Sequence, residues 1–139
     1  MEIKFLAKTT TTKAGVPHPW PFAAGTVATG QGKLITLAGQ AAYERVGGDR
    51  VLIGPGDPAA QTRQTIENIK RLLASEGATL ANILHMTVYL VDAAHFAACG
   101  KVAQEYFSDP SPPQTLIVVK ALAWPELLVE IQVMAMVKA

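Results

Sequence analysis

The chain has 139 residues, half of them hydrophobic and 17% charged, which suits one domain with a proper core and excludes a disordered polypeptide. Twelve Lys and Arg against eleven Asp and Glu leave a formal charge of +1, so no strong overall field draws nucleic acid or anionic lipid. A lone cysteine, Cys99, excludes an intrachain disulfide and a cysteine-rich zinc site, and a reducing cytoplasm is the expected setting.

The opening residues lack the sustained apolar stretch of a signal peptide. Residues 1–19, with the Thr9–Thr12 run and prolines 17 and 19, read as an extended leader to one domain spanning 1–139. Ala24–Thr29 and Lys33–Gly39 flank Gly30-Gln31-Gly32 at hairpin spacing. The glycine-rich stretch Val46–Gly56 reads as a loop with a short edge strand at Val51-Leu52-Ile53. Asp57-Pro58 opens a helix, because Asp can accept from free backbone N–H groups and Pro suits the first helical position. Ile66, Ile69, Leu72 and Leu73 form its apolar stripe, and Gly77 its stop.

Leu84–Val91 is the next strand, with Leu84, Met86, Val88 and Leu90 on one face and His85, Thr87 and Tyr89 on the other. A second helix is expected from Ala94 to Phe107, carrying Phe96, Cys99, Ala103, Tyr106 and Phe107 at helical spacing. Asp109–Pro113 breaks it. Thr115–Lys120 and Leu127–Val137 then read as a closing strand pair. The last segment is interrupted by Glu130 and Gln132 and falls well short of the roughly 20 apolar residues of a membrane helix. The expectation is a soluble α+β domain, a sheet with two helices on one face.

No phosphate loop, dinucleotide fingerprint, zinc-protease helix or nucleophile elbow is present. His18, His85 and His95 are scattered over leader, strand and helix, and neither a metal nor a cofactor is expected. Cys99 reads as a small buried hydrophobe. Lys70-Arg71 is the only adjacent basic pair, too little for a nucleic-acid surface. Glu130 stands out because it interrupts an apolar strand, on the face opposite Val129, Ile131 and Val133. It sits either on a solvated strand face or in a pocket as acid/base or orienting group, since an unpaired buried carboxylate costs several kcal/mol. Gln114, straight after Pro112-Pro113 and leading an apolar strand, is its companion.

From Pro21 to Met136 the chain resembles the RidA/YjgF family of enamine/imine deaminases. The resemblance is carried by Pro21-Phe22, Ala38-Gly39-Gln40, the helix string from Gln61 to Lys70, and Thr87–Asp92, with Phe96, Tyr106-Phe107, Pro112–Thr115 and Val129–Ile131 completing it. It implies a chorismate-mutase-like fold and a homotrimer with small-molecule clefts between subunits, where imines made from amino acids are hydrolysed. It also implies an arginine, two residues after the strand-leading proline, that grips the substrate carboxylate; here that residue is Gln114. The family's tyrosine after the early proline is Phe22, its cysteine is Leu116 and its helical asparagine aligns with Gly100, whereas Glu130 and the ligand-approaching backbone of Gly39 match. One residue is inserted around Ala123-Trp124.

These departures predict a cleft for a neutral or cationic, partly aromatic molecule rather than a simple carboxylate. Glu130 and Gln114 would be the catalytic groups, and Phe22, Gly39, Tyr89, Leu116 and Trp20 the substrate-binding walls. A noncatalytic metabolite-binding trimer is the alternative, and ribonuclease or translation-inhibitor activity the least favoured reading. The expected partners are a small-molecule ligand and two further copies of the chain, with no nucleic acid and no membrane.

Overall fold

The structure, a computed structural model, describes residues 1–6 and 12–139. Most of the Thr9–Thr12 run of the leader lies outside the described residues. The central sheet has four strands in the order β3 (Lys33–Thr36), β8 (Val129–Val137), β6 (Ile83–Leu90), β7 (Gln114–Val118). Two helices, α1 (Pro58–Ser75) and α2 (Phe96–Tyr106), cover one face of it, which is the expected α+β arrangement. Two-stranded sheets β1 (Glu2–Leu6) with β2 (Gly25–Thr29), and β4 (Tyr43–Val46) with β5 (Asp49–Leu52), flank this layer pair.

α1 begins as its sequence dictates. Asp57 accepts from the N–H of Ala60 at 3.0 Å, Pro58 occupies the first turn, and Gly77 ends the helix at φ +76°. Asp57→Ala is expected to cost about 1 kcal/mol through the lost cap, read as a lower urea midpoint. Ile66, Ile69 and Leu73 are buried as predicted, but Leu72 lies on the flank of the stripe and is 38% exposed. The stripe also buries Gln61, Thr62 and Thr65. The two threonine hydroxyls donate to carbonyls one turn back, at 2.8 and 2.7 Å. Gln61 is fully buried and fully satisfied: its amide donates to the carbonyls of Gly54 and Glu126 and accepts from the N–H of Leu128.

The strand pairings differ from the expected ones. The segments around Gly30 are not a hairpin, because β2 pairs antiparallel with β1 and β3 pairs antiparallel with β8. Gly30, at φ +90°, turns the chain from one sheet into the other. Nor do the last two strands pair with each other. β7 follows α2 as a crossover connection and lies parallel to β6, so β6 separates it from β8. The glycine-rich stretch holds the expected short strand, at Asp49–Leu52 rather than Val51–Ile53, and β5 pairs with β4 in a hairpin across Gly47-Gly48, with Gly47 at φ +62°.

In β6 a register irregularity between Ile83 and His85 replaces the expected Leu84 with Ile83 on the core face, above Met86, Val88 and Leu90. A short 3₁₀ turn at Ala93–His95, capped by Asp92, precedes α2, which therefore starts at Phe96 rather than Ala94. Val129, Ile131, Val133 and Ala135 of β8 share one buried cluster with Ile66, Ile69 and Leu73 of α1 and Cys99 and Val102 of α2. Each fully buried aliphatic side chain here contributes about 1.5–3 kcal/mol. Among the described residues no helix is long and apolar enough to cross a membrane.

Candidate functional site

The alternation of β8 fixes two different surroundings for the predicted site residues. Val129, Ile131 and Val133 point into the helix-covered core, so Glu130, Gln132 and Met134 lie on the open face of the sheet. Tyr89 is paired directly with Glu130 and shares that face. Beyond β3 the chain continues irregularly beside β8, with the N–H of Leu37 donating to Val133 and Gln40 exchanging hydrogen bonds with Ile131 at 2.8 and 3.0 Å. This brings Gly39 under the Glu130 carboxylate. A Cβ at position 39 would stand 2.6 Å from Glu130 Oε2, so only glycine fits without displacing the acid. Among the described residues the Glu130 carboxylate has no hydrogen-bond donor within the chain.

Gln114 and Leu116 face the other way. Parallel pairing sets them beside Met86 and Val88, on the helix side of the sheet. There a cavity of about 650 Å³ opens between α2 and strands β6 and β7. Its inner end is buried apolar surface, including Ile66, Leu90 and Met86, while its mouth holds Gln114, Leu116, Phe22 and Trp20. Leu116 is 44% and Trp20 61% exposed, so these two form a rim rather than a core. Gly100 and Cys99 belong to the wall contributed by α2. Burial pushes the Cys99 thiol above its ordinary pKa, in agreement with its reading as a small hydrophobe.

The leader is tied to this rim. Phe22 bridges to Ser111, and the N–H of Ala23 donates to the Ser111 carbonyl at 3.0 Å. His18 Nε2 donates to the carbonyl of Phe22 at 2.6 Å, and the two rings stack edge to face at 5.5 Å. A carbonyl can only accept, so His18 carries its proton on Nε2. A second cavity of about 780 Å³ shares His18, Trp20, Phe22, Gln114 and Leu116, and opens toward Leu84, His85 and Met134 at the other side of the edge strand.

The seven predicted site residues thus fall into two groups. Trp20, Phe22, Gln114 and Leu116 come together at the mouth of one cavity; Gly39, Tyr89 and Glu130 come together on the open sheet face and line neither cavity. Missing from the prediction were His18, Asp109 and the apolar floor from β6. The β6 periodicity could have indicated that floor, whereas nothing local marked His18 or Asp109 as wall residues. Among the described residues no Lys or Arg lines the 650 Å³ cavity, and those of its lining that ionise are His18, Cys99 and Asp109.

A two-layer α+β domain with a mixed sheet, an edge-strand cleft and a carboxylate over a glycine backbone defines the class of protein. Residues 19–137 match the family described as Endoribonuclease L-PSP. A RutC family protein of Pyrococcus horikoshii is 34% identical over 117 residues, which cover 84% of this chain and 90% of that protein. A conserved Rid-family protein of Yersinia pestis has a similar structure, with TM-score 0.71 and 34% identity over 83% of this chain and 86% of that one. So does a YjgF/YER057c/UK114 family member of Mycobacterium tuberculosis, with TM-score 0.66 and 26% identity over 98% of this chain and all of that one. The chain belongs to this family, the RidA/YjgF family. Membership supports a function concerned with small molecules.

Proposed function

We propose that the protein hydrolyses uncharged imines or enamines, or closely related C–N compounds, in clefts between the subunits of a homotrimer. The observation that carries this reading is the cavity wall at Gln114. Where the family resemblance implies a carboxylate-gripping arginine, the wall offers a neutral amide and, among the described residues, no Lys or Arg. A carboxylate entering it would lose hydration and gain no counter-charge.

The split of the site supports the trimer. Glu130 and Gly39 lie on a sheet face that also exposes Leu34 and Met134 at 57% and 43%, and two helices already cover the other face. Packing this face against the rim of a neighbour would conceal its apolar residues and bring one subunit's Glu130 toward another's Gln114, Leu116 and Phe22. In the assembled cleft, Glu130 takes a proton from a water that adds to the C=N carbon. That proton passes to nitrogen to give a carbinolamine, whose hydroxyl proton then moves to the same nitrogen as the C–N bond breaks, and a carbonyl compound and an amine or ammonia leave.

Sedimentation should give three times the chain mass. Freshly generated neutral imines should be hydrolysed faster than imines of simple 2-amino acids, with Glu130→Gln lowering the rate about 10²-fold. Equal rates for both imine classes, or an unaltered rate in Glu130→Gln, would overturn the catalytic proposal. One ligand held unchanged over long incubation would favour the binding trimer instead. RNA cleavage has less support, because Arg63, Lys70 and Arg71 are each engaged with glutamates on the surface.

A further inference from the structure

The two loops that carry the open-face residues are fastened to α1 by two amides, Gln61 and Asn68, which lie two turns apart on one side of the helix. Gln61 holds the approach to β8, and with it Glu130. Asn68 holds the segment that follows Gly39. Its Nδ2 donates to the carbonyls of Ala41 and Tyr43 at 3.0 and 2.8 Å, while its Oδ1 accepts from Gln64 and Arg71, one turn before and one after. All four hydrogen-bonding positions of the amide are thus used, which fixes its orientation. Asparagine is a weak helix former in the middle of an 18-residue helix, and none of these bonds serves the helix backbone. The circuit closes on the far side, where the Tyr43 hydroxyl donates at 2.5 Å to the carboxylate of Glu126, the residue whose carbonyl Gln61 holds.

We infer that Asn68 is a positioning residue, which sets how closely the Gly39 backbone lies under the Glu130 carboxylate. Gly39 stands between two contacts to β8, Leu37 with Val133 and Gln40 with Ile131. Those bonds place the segment along β8 but form a single line about which it can still rotate. Anchors off that line stop the rotation, and Asn68 supplies two of them just beyond Gln40. The tolerance is small, because a Cβ on Gly39 would already meet Glu130 Oε2 at 2.6 Å. Among the described residues neither the N–H nor the carbonyl of Gly39 has a partner within the chain, so the backbone there is available to a ligand beside the acid. A displacement of about 1 Å between groups that act together costs on the order of 10²-fold in rate. The inference rests on reading Glu130 and Gly39 as part of the reaction site, but it concerns their geometry and can fail separately from the chemistry.

The test is a double-substitution cycle read by NMR on the full-length protein carrying isotope-labelled glycine. In the wild-type background Glu130→Gln removes a charge next to Gly39 and should move the Gly39 amide resonance. In the Asn68→Ala background the same exchange should move it at least about twofold less, because the two groups have drawn apart. Asp57→Ala removes the cap of α1 but leaves this clamp in place, so it should lower the urea midpoint and keep the full Gly39 response. With neutral imines Asn68→Ala should lower kcat about 10²-fold and change KM little. Asn68→Ser, whose shorter side chain cannot span both carbonyls, gives the same reading should the alanine variant fail to fold. An undiminished Gly39 response in Asn68→Ala, or an equal loss in Asp57→Ala, would overturn the inference. If the response falls while wild type hydrolyses no imine of any charge, the positioning role stands and the catalytic proposal falls.

Discussion

Gln114→Arg is expected to convert the cleft from one that rejects small 2-oxo acids to one that holds them. Isothermal titration with pyruvate or 2-oxobutyrate should show affinity rising about 10- to 100-fold, the equivalent of roughly 1.5–3 kcal/mol for a charged hydrogen-bond pair. The reason lies in the wall. The amide of Gln114 offers one donor group and no net charge, whereas guanidinium offers a planar fork that matches a carboxylate through two parallel N–H···O contacts. Among the described residues no Lys or Arg of the cavity wall performs that task in the wild type. Asp109 belongs to the same wall and would compete for the new guanidinium, so adding Asp109→Asn should raise the affinity further. A wild-type protein that already holds 2-oxo acids as tightly as Gln114→Arg would refute the assigned role of Gln114.

How far this site could be read from the sequence depends on which physical signal carried each part. The start of α1 was legible because an N-cap aspartate, a first-turn proline and a C-terminal glycine all act within one turn of the chain. The two faces of β8 were equally legible, since alternation alone puts Glu130 opposite Ile131. Partners across the sheet were not. Periodicity says which face a strand buries, but β7 beside β6, and β2 beside β1 rather than β3, are settled by long-range contacts. The face of Gln114 follows from its register against Met86, so its separation from Glu130 could not be foreseen. Leu84 was misplaced because a single irregular residue between Ile83 and His85 shifts the alternation. Gln61 passed unnoticed for a related reason: a polar side chain within an apolar stripe reads as a flaw until its three backbone partners, from two distant loops, are in view.

Those partners make Gln61→Leu the substitution with the largest expected cost to stability, about 3–5 kcal/mol. Leucine is close to glutamine in size, so the loss is not mainly one of volume. It strands the N–H of Leu128 and the carbonyls of Gly54 and Glu126, which meet the fully buried amide at 2.8, 3.1 and 3.2 Å. Each buried group left without a partner costs about 1–3 kcal/mol, and the N–H is the most demanding because it has a single proton to place. Urea unfolding should show a midpoint lower by about 1.5–3 M for a slope near 1.5–2 kcal/mol/M.

Gln61→Glu separates hydrogen bonding from shape. An ionised carboxylate can still accept from Leu128 but would face two carbonyl oxygens with no proton to offer, and burial raises its pKa in the folded state. The folded form therefore binds the proton more tightly than the unfolded chain. This protonated hydrogen bonding is fully available below the unfolded-state pKa and is lost as pH rises through the higher folded-state value. The variant should accordingly lie closest to wild type in acid and be weakest at neutral pH. Because Leu128 leads directly into β8, the same loosening reaches Val129 and Glu130, so imine hydrolysis in Gln61→Glu should fall as pH rises, in parallel with stability. A Gln61→Leu protein with an unchanged urea midpoint, or a Gln61→Glu protein whose stability relative to wild type is flat across pH, would show that the amide does not hold the two loops to α1.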